Sequence, residues 1–103
     1  MLEVGADQLK QAVESQHGGI ATLAQSVPVR ETFGSETVWQ GVVHVFDLAG
    51  HPTAKRAYAW SSPIEGSSKR RLFAVLHTKA INSPLQAVRA AIVAERRPEL
   101  RKR

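Results

Sequence analysis

The 103-residue chain contains no cysteine. No disulfide framework, thiolate nucleophile or cysteine-ligated metal can therefore form. Its apolar runs are short, and none approaches the ~18 residues that a membrane-crossing helix requires. Met1-Leu2-Glu3-Val4 lacks the basic stretch and apolar segment of a secretory signal. The chain is accordingly expected in the cytoplasm, without membrane contact. Catalytic spacings are missing too. Ser61, Ser62, Ser67 and Ser68 are not set in a Gly-x-Ser-x-Gly elbow. The histidines His17, His44, His51 and His77 form no His-x-His pair, and a metal site wants three or four ligands. His44, His77 and Asp47 are the combination a sheet brings nearest, and a lone strand histidine is usually a packing residue. Gly18-Gly19 lacks the Lys-Ser/Thr ending of a phosphate loop and follows a helix where that loop would precede one. Glu31, Glu36 and Asp47 fall on strand flanks with no shared pocket to tune a carboxylate pair. The expectation is a non-enzyme with no catalytic residues, no metal and no cofactor.

What remains is ordinary globular material, 43% apolar and 22% charged, enough for one domain. At this length roughly two thirds of the unfolded surface can be buried without a staple. The charge is unevenly placed. Residues 1–53 hold two basic and six acidic side chains, net −4; residues 54–103 hold twelve and three, net +9. Such asymmetry suits an acidic or phosphate-bearing partner, and equally a second copy of the chain. Five of the basic residues are Arg96, Arg97, Arg101, Lys102 and Arg103, around the helix-breaking Pro98. Residues 96–103 thus read as a solvated, frayed tail on a domain spanning 1–95.

Residues 6–17 predict a helix, with Leu9, Ala12 and Val13 on one stripe, Asp7 as N-cap and Gly18-Gly19 as the stop. Ile20 to Phe33 alternates, and Pro28 marks it as an edge strand or a bulged one. Gly34-Ser35 suits a tight hairpin turn. Glu36 to Leu48 has four valines and two aromatics within Val38–Phe46, apolar on both parities, and so reads as a central strand. Gly41 within it marks a bulge or a close backbone approach. Two further strands follow, 54–61 and 70–78. Ser83-Pro84-Leu85-Gln86 opens a second helix with a cap, a first-turn proline and a capping-box glutamine. Leu85, Val88, Ala91 and Ile92 form its apolar stripe.

The expected architecture is α+β, in the order α-β-β-β-β-α: a four-stranded antiparallel meander with both helices on one face. Ala57, Ala59 and Ala74, beside Leu72 and Leu76, suit close helix approach. That placement leaves Arg56, Tyr58, Trp60, Arg71, Phe73 and His77 on an open face, with Lys69 and Arg70 at its rim. The converse, large side chains inside and alanines outside, needs only a one-residue slip. An open aromatic and basic face predicts a protein partner or a homodimer. The alternative is nucleic acid, bases stacking on the aromatics while Arg56, Lys69, Arg70 and Arg71 track phosphates.

The element order is similar to that of a double-stranded-RNA-binding domain, whose second helix opens on a basic run. Here Ser68-Lys69-Arg70-Arg71 opens a strand and the second helix begins Ser83-Pro84-Leu85, so that contact set does not transfer. Val38-Trp39-Gln40-Gly41-Val42-Val43, Gly50-His51-Pro52 and Tyr58-Ala59-Trp60 resemble segments of small uncharacterised bacterial α+β proteins. That resemblance spans most of residues 18–95 and implies no activity.

Overall fold

The structure is a computed structural model and describes residues 5–64 and 66–96. Six elements follow in order: α1 (Ala6–His17), β1 (Ile20–Phe33), β2 (Glu36–Ala49), β3 (Arg56–Pro63), β4 (Arg70–Leu76) and α2 (Pro84–Arg96). The strands form one sheet in meander order β1-β2-β3-β4, every neighbour antiparallel. The expected α+β order is the one observed. Most of the basic tail, residues 97–103, lies outside the described residues.

Local chemistry sets the boundaries. Gly19 has φ +81°, and a Cβ there would sit 2.9 Å from the Ala49 carbonyl oxygen, so the chain passes from α1 into β1 where only glycine fits. Gly34, at φ +64°, makes the β1–β2 turn. At α2 the Gln86 N–H donates to Ser83 Oγ at 3.2 Å, as the cap predicts. The Gln86 side chain reaches one residue further back than a capping box requires, accepting from the Asn82 N–H at 2.8 Å. At α1 the expected cap is wrong: the N-cap is Gly5, not Asp7, and Gln8 accepts from the Gly5 N–H at 3.1 Å.

The expectation of both helices on one face is overturned. Leu9 and Val13 of α1 pack with Ala21, Phe46, Leu48, Ala57 and Ala59. Ala87 and Val88 of α2 pack with Val29, Val43, Val45, Tyr58 and Trp60. These two sets take opposite parities along β2 and β3, so each helix covers its own side of the sheet. Neither side carries a polar stripe that water would hold open, so burying both releases more apolar surface from water than stacking two helices on one. The alanine side does admit a helix closely, as expected, but only α1 lies there.

Polar contacts fasten the helices. The Arg89 guanidinium donates to both Glu31 carboxylate oxygens at 2.6 and 3.0 Å, tying α2 to β1. The Glu14 carboxylate accepts from Lys10 Nζ at 2.6 Å and from the Ala21 N–H at 2.8 Å, tying α1 to the start of β1. His17 Nε2–H donates to the Ala74 carbonyl at 2.8 Å. Because the His77 N–H donates to the Arg56 carbonyl at 2.9 Å, the alternate residues of β4 pair inward, and the Ala74 carbonyl faces the free edge. His17 therefore blunts that edge. The β1 edge is blunted by Pro28 and by a register shift between Leu23 and Gln25.

Candidate functional site

The aromatic face expected to be open is sealed. Tyr58 and Trp60 are 1% and 2% exposed beneath α2. Trp60 stacks on Phe73, centroids 5.2 Å apart and planes 5° from parallel, and meets Trp39 edge-on at 6.1 Å. The Arg71 guanidinium lies 4.9 Å from the Phe73 centroid and caps the stack. The Tyr58 hydroxyl and His77 Nδ1 are 2.6 Å apart. Burial pushes the Tyr58 phenol above its usual value, with Arg56 opposing in part. Of the eight residues expected to form one docking surface, Arg56, Tyr58, Trp60, Arg71, Phe73 and His77 do share a side of the sheet. Only Arg56 and Arg71 of those six remain exposed, Phe73 and His77 being half-buried. Arg56 leans toward Asp47 at 3.6 Å, at the far end of β3. Lys69 is exposed at the start of the β4 hairpin arm, and Arg70 points to the opposite side.

Arg70 leads to a site the sequence did not single out. β2 and β3 pair only over His44–Asp47 with Arg56–Ala59. Yet β2 begins at Glu36 and β3 continues to Pro63. Beyond His44 and Ala59 the two strands part, and a cleft of about 480 Å³ opens on the α1 side. Three local features explain the parting. Pro63 has no N–H to give a ladder. The Trp39 indole lies over Gly41, where a Cβ would meet the ring at 2.8 Å, and its Nε1–H crosses to Ser62 Oγ at 2.8 Å. Arg70 holds Ser61 in place of a strand: Nε donates to Ser61 Oγ at 2.8 Å and Nη2 to the Ser61 carbonyl at 3.2 Å.

The cleft is mixed in character. Gln40, Val42, His44 and Ser61 line it, Arg70 stands at its wall, and Gly5 and Ala6 close one end. Val42 is 46% exposed, whereas Val43, Val45 and Phe46, next along β2, are buried. The Leu48 N–H donates to the Lys55 carbonyl at 2.9 Å, which fixes the phase of the β2–β3 ladder. In that phase the peptide groups of Val42 and Gln40 point toward β3, and the N–H of Ser61 points back. His44 Nδ1 lies 2.8 Å from Ser26 Oγ, and burial holds its imidazole below the ordinary histidine value.

Among the described residues no three metal-ligating side chains gather. Glu14 and His17, three apart on α1, are spent on the Ala21 N–H and the Ala74 carbonyl. Among the described residues no helix is long and apolar enough to cross a membrane. Compared with protein families, with curated proteins and with solved structures, the chain matches none.

Proposed function

We propose that this domain is a binding module rather than an enzyme, and that it takes an extended segment of a protein partner along the cleft between β2 and β3. One observation carries the reading: the ladder between these strands stops after His44 and Ala59 while both strands continue. An extended segment laid there gains main-chain hydrogen bonds from Val42, Gln40 and Ser61, and covers the exposed Val42 side chain. The volume lies within the range of small binding sites. Both outer edges of the sheet are blunted, so the remaining open ladder is internal. The nucleic-acid alternative loses its stacking surface, since Tyr58 and Trp60 are buried. A homodimer through that same face loses its contact for the same reason.

The test is an amide NMR titration of labelled protein with a pool of capped, strand-forming hexapeptides. Shifts should concentrate at Gln40–His44 and Ser61–Ser62. Shifts confined to the outer side of α2, or none at all at millimolar peptide, refute the reading.

A further inference from the structure

We infer that Arg70 determines the specificity of this cleft, selecting a segment that carries a carboxylate side chain beside Ser61. The inference rests on the reading of the cleft as a groove for an extended segment. Its ground is what Arg70 does in the free protein. The Ser61 carbonyl is the group that the Val42 N–H would meet if the ladder continued by one more pair. It accepts instead from Arg70 Nη2, while Arg70 Nε occupies the Ser61 hydroxyl. A guanidinium thus stands where a strand's donor belongs.

That arrangement is a weak one for an arginine. Both partners are neutral oxygens, and among the described residues no carboxylate lies within ion-pair distance of Arg70. A guanidinium has five N–H donors, and two are engaged here. A carboxylate adds the opposite charge that neither Ser61 oxygen carries, and it matches the fork with two hydrogen bonds at once. The surroundings favour the same charge. The positive end of α1, at Gly5 and Ala6, lines the same cleft. Asp7 in that turn is exposed and does not line it. A carboxylate that draws Arg70 away from Ser61 also frees the Ser61 carbonyl to accept from the segment's own backbone N–H. One side-chain movement couples the reading of charge to the completion of the ladder.

The probes are two labelled, capped hexapeptides of alternating valine and threonine, one with a central glutamate and one with glutamine there, measured by fluorescence polarisation. Wild-type protein should prefer the glutamate probe by roughly tenfold, the step from a neutral acceptor to a bidentate ion pair. In R70Q the ratio should fall to within about twofold while the glutamine probe still binds, because the open ladder is untouched. S61A removes the hydroxyl that holds Nε, leaves Arg70 in place, and should keep or sharpen the preference. Equal binding of both probes by wild type, or an undiminished preference in R70Q, overturns the role of Arg70 while leaving the groove standing. Binding of neither probe overturns the groove, and this inference with it.

Discussion

Replacing Trp60 by alanine is the most direct test of the two-sided sheet. The ring is 2% exposed, stacked on Phe73 and edge-on to Trp39, with Ala87 and Val88 of α2 in the same cluster. A tryptophan removes ~150–250 Å² from water on burial. At ~25 cal/mol per Å² the upper figure is ~6 kcal/mol. Compactness of the unfolded chain trims such sums by ~10–40%. Alanine retains the β-carbon, which leaves the ~3–5 kcal/mol typical of aromatic-to-alanine changes in cores. A domain of this length holds ~5–15 kcal/mol altogether, so the variant should lose a fifth of its stability or more. Urea unfolding followed by far-ultraviolet circular dichroism measures it, since removing Trp60 also removes one of the two indole reporters. V42A, at a site 46% exposed, serves as the control and should shift stability by ~0.5 kcal/mol or less. A loss below ~1 kcal/mol for W60A, with an unchanged urea slope, would mean that α2 does not cover this ring.

Other outcomes follow from single contacts. Y58F deletes the hydroxyl facing His77 Nδ1 and should cost ~0.5–1.5 kcal/mol in the same unfolding assay, with the fold intact by circular dichroism. G19A forces a side chain onto φ +81° with its Cβ 2.9 Å from the Ala49 carbonyl oxygen. The conformation alone should cost ~1–2 kcal/mol, and the clash adds to it, so an unchanged melting temperature would refute the tight passage from α1 to β1. Glu31 is held below the usual carboxylate value chiefly by its bond to Arg89, against the cost of desolvation. Its contribution to stability is present above the unfolded carboxylate pKa and is lost as pH falls through the lower folded value. R89M removes the cause of that depression. Acid unfolding of the variant should begin at higher pH than in wild type, and coincident acid curves would refute the clamp.

Much of the fold was legible because periodicity and punctuation agreed. Gly18-Gly19, Gly34-Ser35 and Ser83-Pro84 mark three boundaries through backbone chemistry that acts within a few residues. Gly41 marks a bulge or a close backbone approach in the sequence, and what comes close to it is a side chain, the Trp39 ring. The apolar character of both parities in β2 already implied cover on both sides. Applied to β3, the same reasoning would have placed one helix on each side. The size contrast along β3 suggests otherwise, a small-residue face covered and a large-residue face left open. Size does not decide exposure; what lies opposite does, and that is a long-range fact. The cleft was invisible for a related reason. Parting of β2 from β3 depends on Trp39, Pro63 and Arg70, from three different strands, each unremarkable alone. Pro63 was the available signal: a proline at a strand end removes a ladder donor toward its neighbour.

The opposed helices have a consequence for how the strands find their alignment. In a sheet wetted on one side, misalignment by a single residue is punished by throwing grease into water. This sheet has no wet side near its centre, so that penalty is weak. Bulk must do the sorting instead: α1 rests on Ala57 and Ala59, α2 on Tyr58 and Trp60. Exchange them, and rings are rammed against Leu9 and Val13 while a hollow opens under Val88. Alignment here is a matter of volume rather than polarity, and the alanines of β3 are as indispensable to it as the rings.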